Sequence, residues 1–378
     1  MNTPPPNHYS PPFSSAGPSP LPRRQFISTV ATVTAGVLAA GRLQGQSASS
    51  SRVALGIDAH ALRAMRWKAP QVIEYASGQK VDSVLFNNLA SFESLDLADL
   101  RRLRETAEGH GLRIYLGVGG AAEGANGFSR AYGSAEELLA FGVRLATALG
   151  SPVVNTRIGN LADRSTPGGI EARMEELIRT LKAVRTRAQD AGVKFAIENH
   201  AGDLRSEEVL EIITSAGTDF TGVLLDPGNA VWAMEDPMRQ LELLGPHVLC
   251  TSVRDWMVWP SPEGATFQWT AIGEGLMDVP AYVENMAKLS PGVPLHVETI
   301  SNAARPIPYL TEEHWKLYPE LRAAAIVDFL KLVRRGRPLE IVGPPPGTNA
   351  RTFEQQHQRA ELERSLAELR RHGVGLKI

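Results

Sequence analysis

Residues 191–200 read Ala-Gly-Val-Lys-Phe-Ala-Ile-Glu-Asn-His. Gly192 closes the helical pattern before it, because a glycine can take the left-handed conformation that ends a helix. The run 193–197 is short and nearly all apolar. That pattern belongs to a strand covered on both faces rather than to one with a wet side. A carboxylate, Glu198, stands at its C-terminal end, followed by Asn199 and His200.

The same grammar repeats outward in both directions. Strand-like runs fall at 53–57, 81–86, 112–118, 153–158, 222–225, 248–253 and 295–297, with helical stretches such as 97–108, 135–149 and 171–191 between them. Gly111 and Gly150 sit where Gly192 sits, just before the next apolar run. Short apolar strands alternating with helices give a parallel sheet covered by helices. Eight such units over about 250 residues match the size of a closed (β/α)8 barrel, the α/β architecture called a TIM barrel. An open doubly wound sheet would bring a glycine-rich phosphate loop after its first strand, and Gly56-Ile57-Asp58-Ala59-His60 is not one. The expected organisation is a signal and linker over 1–50, the barrel over 51–300 and a C-terminal helical extension over 301–378.

Bulk properties narrow the partners. Hydrophobic residues make up 43% of the 378, enough for one large core. The formal charge is -2 and the 39 Lys and Arg are spread along the chain. Nucleic acid binding usually needs a basic stripe, so that partner class is set aside. The single cysteine, Cys250, excludes an intramolecular disulfide and a multi-thiolate metal site. Its neighbours Val248 and Leu249 make it a buried strand thiol.

The first fifty residues are different. A Pro- and Ser-rich lead runs into Arg23-Arg24-Gln25-Phe26-Ile27, and a mild apolar run follows over 30–40. That run is too short and too weak for a stable membrane span. The pair resembles the twin-arginine export signal, whose machinery carries folded proteins across the bacterial inner membrane. The resemblance implies an exported, periplasmic protein with that machinery as a partner, cleaved near Ala48 or held at the membrane by an uncleaved signal.

Two later segments are irregular. Residues 255–275 contain Trp256, Trp259, Phe267 and Trp269, and their length points to a lid or pocket wall. The tail holds a helical stretch over 317–335, a Gly-Pro break over 343–347 and a charged helix over 352–372. Leu362, Leu366 and Leu369 share one side of that last helix, to pack on the barrel or on a second subunit in a homo-oligomer.

In a barrel, residues at the C-terminal strand ends surround one pocket. Those ends are polar here: Asp58 and His60, Asn87 and Asn88, Asn155 and Arg157, Glu198 to His200, Asp226 to Asn229, Arg254 and Asp255, then His296 and Glu298. Alternate strand residues face the same way, so Glu198 pairs with His200, Leu224 with Asp226, and His296 with Glu298. Three carboxylates in one buried space need compensation. A divalent cation supplies it, or an ionic network does, with Arg157 on Glu198 and Arg254 on Asp226.

Glu198 in AIENH, Asp226 in LLDPGN, the pair Arg254-Asp255, and Glu298 in HVETI together resemble the xylose isomerase-like barrel superfamily over about residues 53–300. The resemblance implies a metal-dependent isomerase or epimerase acting on a keto sugar or related polyol through an enediolate. Glu198, Asp226 and Glu298 would be ligands of a divalent ion (Mn, Mg, Co or Zn), with Glu198 and Glu298 also the catalytic acid and base. His60, Arg157, His200, Asn229, Arg254 and Trp256 would contact the carbohydrate. One position departs from the pattern: the strand-seven histidine is replaced by Ser252. Either His200 or His296 supplies the missing nitrogen, or water does, or the ion is lost. A lyase or dehydratase on an oxidised sugar or cyclitol is one alternative, and an exported sugar-binding barrel without catalysis is another.

Overall fold

The computed structural model describes residues 52–375, and the twin-arginine stretch lies outside them. The strands, in chain order, are β1 (Leu55–Asp58), β2 (Ser83–Phe86), β3 (Arg113–Gly120), β4 (Val153–Arg157), β5 (Lys194–Glu198), β6 (Thr221–Leu225), β7 (Val248–Thr251), β8 (Asp255–Ser261), β9 (Gly264–Thr270), β10 (Leu295–Val297) and β11 (Arg305–Ile307). The helices are α1 (Ala69–Gly78), α2 (Leu97–Gly109), α3 (Ala135–Leu149), α4 (Gly169–Asp190), α5 (Ser206–Ala216), α6 (Pro227–Trp232), α7 (Pro237–Leu244), α8 (Val279–Leu289), α9 (Glu312–Trp315), α10 (Val327–Arg335) and α11 (Ala350–Arg371).

Eight strands form one parallel sheet in the order β10-β1-β2-β3-β4-β5-β6-β7. The circle closes just past β7, where Val253 bridges to Val297. There the Val253 N–H donates to the His296 carbonyl at 2.7 Å, and the Glu298 N–H donates to the Val253 carbonyl at 2.9 Å. The barrel expected from the sequence is therefore present, with every barrel strand within a few residues of its expected run.

Both faces of these strands are apolar for separate reasons. Leu85, Tyr115, Val153, Ala196, Leu224 and Cys250 pack inside the barrel. Val84, Phe86, Phe195, Ile197, Val223 and Leu225 pack outward under the helices. His296 joins the inner set: its ring meets Tyr115 edge-on at 4.7 Å, and its Nε2 lies 3.0 Å from the Ser83 hydroxyl. Gly56 makes room for that ring, since a Cβ there would lie 2.3 Å from His296 Cδ2. Helix ends follow local rules. Ser134 and Glu137 cap α3 reciprocally, and Gly150 ends it at φ 67°.

The segment 255–275 is not a loop. β8 and β9 pair antiparallel from Asp255 opposite Thr270 to Ser261 opposite Gly264, and β11 adds a third strand with Arg305 opposite Phe267. The clustered aromatic residues mark a buried ribbon, Trp256 facing Trp269 across it. Asp255 anchors its base. One carboxylate oxygen accepts from Trp256 N at 2.7 Å and Met277 N at 3.0 Å; the other accepts from Gly273 N and Gly275 N, each at 3.0 Å.

Burial lifts the Asp255 carboxyl from 3.8 to about 6, against the pull of those four N–H groups. The folded chain thus holds this proton more tightly than the unfolded one. Its contribution to stability is complete below the ordinary aspartate pKa and is lost as pH rises through about 6. Asp255→Asn is expected to remove about 3 kcal/mol of pH-dependent slope between these limits, measured as the difference between variant and parent urea midpoints. Parallel slopes would rule the assignment out.

The described part of the tail from 301 onward belongs to the same compact unit as the barrel. Its expected helix begins later than expected, as a short 3-10 turn (Ala323–Ile326) leading into α10. Leu362, Leu366 and Leu369 of α11 are buried on the chain's own barrel. The Gln355 side chain donates to the Ala64 carbonyl at 3.0 Å, and Gln358 accepts from Ala64 N at 2.9 Å. No described helix is long and apolar enough to cross a membrane.

Candidate active site

The inward parity of the strands brings Asp58, Glu198, Asp226, Ser252, Arg254 and Glu298 together, all buried. Asp226 is the N-cap of α6, where its carboxylate accepts from Asn229 N at 3.0 Å and from the Asn229 amide at 2.7 Å. Arg254 Nη2 donates to both Asp226 Oδ2 and Glu298 Oε2. Its guanidinium carbon lies over the Trp269 ring, 4.2 Å from the ring centre. Trp269 is itself fixed by Nε1–H donating to the Gly228 carbonyl at 2.9 Å.

Ser252 stands between two acids, with Oγ 2.6 Å from Glu298 Oε2 and 3.0 Å from Asp58 Oδ2. A hydroxyl carries one proton, so only one of these contacts can be its donation. Burial and the nearby Glu298 charge push Asp58 well above the usual carboxylate range, although the His60 N–H, 2.8 Å away, pulls the other way. A protonated Asp58 donating to Ser252, which donates to Glu298, satisfies both contacts. Burial opposes the charge on Glu298, but Arg254, His60, Ser252 and His200 together hold it below its ordinary value. Burial lifts Asp226 to about 7, with Arg254 acting against the rise.

Glu198 is less well compensated. Among the described residues its one ion pair is to Arg157, at 3.9 Å. Burial raises it to about 7, against the pull of Arg157. His200 is half-buried over the same corner, and its Nδ1 meets the Gly159 carbonyl, an arrangement that leaves Nε2 as the lone-pair nitrogen. Burial lowers its pKa to about 4, so it stays neutral. His60 reaches solvent at the rim. Asn229 is buried, with its Oδ1 unpartnered among the described residues.

Two candidates lie elsewhere. Trp256 is packed into the ribbon and 2% exposed, so the indole against Arg254 is Trp269. His296 sits among the inner barrel side chains, with burial lowering its pKa to about 3, and acts as a packed neutral ring. Conversely, Asp58, Ser252 and Trp269, which the sequence offers only as a strand end, a departure from the pattern and part of an aromatic wall, touch the acids or Arg254 directly, and Arg305 joins them over Trp269. Residues 58 and 252 meet only because the barrel closes between β7 and β10, which sets β10 between the two strand ends. Arg305 lies beyond the barrel in sequence and gives no local signal.

The residues do not fit a divalent ion as they stand. Arg254 occupies the space between Asp226 and Glu298, Ser252 fills the histidine position and already serves two carboxyls, and His296 is turned to Ser83. Among the described residues no set of three or more His, Cys, Asp or Glu is placed to hold a metal. The arrangement is the ionic network, extended from Asp226 to Glu298.

A closed parallel barrel with buried acids and a cation at its C-terminal strand ends has the layout of a TIM-barrel enzyme site. The chain belongs to the xylose isomerase-like TIM barrel family, whose profile matches residues 81–333. It is 24% identical over 195 residues to a 3-oxo-isoapionate decarboxylase of Pectobacterium atrosepticum, a match that covers 51% of this chain and 63% of that protein. The fold is shared with D-psicose 3-epimerase of Clostridium cellulolyticum H10, at TM-score 0.53 and 14% identity over 84% of this chain and 99% of that one. It is shared also with the IOLI protein, solved with a zinc atom, at TM-score 0.51 and 16% identity over 76% of this chain and 100% of that one.

Proposed function

We propose that this chain is an isomerase or epimerase acting on a keto sugar or related polyol through an enediolate, with Glu198 moving the proton and arginine supplying the positive charge. The observation that carries it is the contrast between the acids. Arg254 binds Asp226 and Glu298 directly, while the cation paired with Glu198 among the described residues is Arg157, at 3.9 Å, with the neutral Asn155 amide beside it. A buried carboxylate with a weak partner, beside solvent-reaching Arg157, is the group free to exchange a proton.

In the forward step a Glu198 oxygen takes the proton from the carbon beside the carbonyl. The C–H electron pair becomes the enediolate double bond, and the carbonyl oxygen gains the negative charge. Arg157 and Arg254, whose Nε–H has no acceptor among the described residues, are the donors available to that oxygen. In an isomerase Glu198 returns the proton to the former carbonyl carbon, and the proton of the adjacent hydroxyl passes to the former carbonyl oxygen, so that the neighbouring carbon becomes the carbonyl. The Asp58–Ser252–Glu298 chain is a second proton source, as an epimerase requires. His60, exposed, and His200, half-buried, would be the groups to hold substrate hydroxyls.

The test is deuterium uptake from D2O at substrate carbon across a panel of keto sugars, followed by proton NMR. Exchange is expected to persist after EDTA dialysis, and Mn2+ added to the apo chain is expected to raise the melting temperature by less than about 1 °C, since an ion bound to the folded state would stabilise it by mass action. Exchange that stops with EDTA and returns with Mn2+ would overturn the metal-free reading; absence of exchange across the panel would favour a sugar-binding barrel. Similarity to a decarboxylase favours a second reading, lysis of an oxidised sugar through the same intermediate, which releases a fragment in place of an isomer. The curated relatives are matched over only 63% and 39% of their lengths. The twin-arginine pair supports export as the setting for either reaction.

A further inference from the structure

We propose that Arg305 is the receptor for an anionic group, a carboxylate or a phosphate, carried by the substrate of the barrel site. The inference rests on the reading of the mouth as a sugar-transforming site and names the class of sugar it takes.

Arg305 is delivered from outside the barrel. β11 fixes its backbone opposite Phe267 of the ribbon, and its Nη1 donates to the Ala303 carbonyl at 2.9 Å. The guanidinium lies over Trp269 at 4.2 Å and over Trp232 at 5.3 Å. Those indoles brace each other edge to face at 5.8 Å, with Phe267 completing the cluster. Arg254 rests on the same Trp269 ring at the same 4.2 Å, so the two guanidinium carbons lie within twice that distance of each other.

What Arg305 lacks is an acid. Arg254 is met by Asp226 and Glu298, and Arg157 by Glu198. Among the described residues Arg305 forms no ion pair, and the charges it feels are Arg254 and Arg63, both repulsive. Burial, then those two cations, lower its pKa to about 10. Arg63, exposed on the rim, has no direct ion pair among the described residues, although Glu354 and Glu298 attract it from farther off. A half-buried cation next to other cations is unfavourable unless something anionic joins it. A guanidinium held over two indoles, with one N–H committed and no other acceptor among the described residues, is preorganised to fork onto a carboxylate or phosphate. A neutral sugar would leave that charge unmet.

Isothermal titration of the full chain with 2-keto-D-gluconate, D-fructose 6-phosphate and D-fructose decides the matter. At least one anionic probe is expected to bind on the order of tenfold tighter than D-fructose, an advantage that shrinks with added salt. Preference for the keto acid identifies a carboxylate ligand, and preference for the ester a phosphate. Arg305→Gln is expected to abolish the advantage and Arg305→Lys to keep part of it, with melting temperatures showing that the fold is intact. Arg63→Gln, at an exposed position, should weaken the advantage in a chain that still folds. Equal affinity for all three probes, or an advantage that survives Arg305→Gln, overturns the inference. A chain that prefers anions but exchanges no substrate proton sinks the catalytic reading alone. One that exchanges protons on neutral ketoses without preferring anions sinks this inference alone.

Discussion

Glu198→Gln is expected to slow solvent exchange at the substrate carbon by about a thousandfold, since a positioned general base contributes roughly 10²–10⁴ in rate. The substitution keeps the shape of the side chain and removes only its capacity to take a proton. Its effect on stability should be small. The Arg157 contact is long, at 3.9 Å, and its guanidinium is 26% exposed, so water can take over part of its solvation. Removing a buried charge offsets the rest. Deuterium exchange and melting temperature, measured on one preparation, separate the two effects. A variant that exchanges at the parental rate would pass the role to Glu298 or to the Asp58–Ser252 pair. A variant that loses exchange only because it melts early would not support the assignment.

The barrel was legible because its signal is redundant. Each strand is a short apolar run, and three of the helices end at a glycine, Gly111, Gly150 and Gly192, so one misjudged boundary changes nothing. The strand-end acids were legible for a related reason: period-two parity places Asp226 above Leu224 and Glu298 above His296, and the structure keeps both relations. Parity does not say which cation sits among them. Both Arg254 and an ion satisfy three carboxylates on paper. The choice depends on where a long side chain lies, and that is set by Trp269, far along the chain on β9. The ribbon was hidden because its two strands are aromatic and buried on both sides, which reads as an apolar loop when the third strand, β11, lies beyond the barrel. Arg305 was hidden with it.

Arg254→Ala is expected to destabilise the chain by about 3–5 kcal/mol, because removing one partner of a buried pair leaves the other charge without compensation. The loss should be large here. One guanidinium serves both Asp226 and Glu298, and Arg254 itself is 2% exposed in its side chain. Stacking on Trp269 at 4.2 Å is lost as well. The same variant turns the choice of cation into a measurement. Without Arg254, Asp226, Glu298 and Glu198 face one another with nothing positive between them, and a divalent ion becomes the simplest compensation. Ser252→His added to Arg254→Ala restores a nitrogen donor at the strand-seven position. This double variant is expected to bind Mn2+ by titration and to recover part of its melting temperature when the ion is present, while the parent chain does neither. If the parent binds Mn2+ stoichiometrically with Arg254 in place, the guanidinium is not the occupant of that space, and the ion and the arginine must share the mouth. If the double variant stays folded yet takes up no ion, the three acids do not converge as described. Only the expected pair of outcomes leaves Arg254 as the cation around which this site is built.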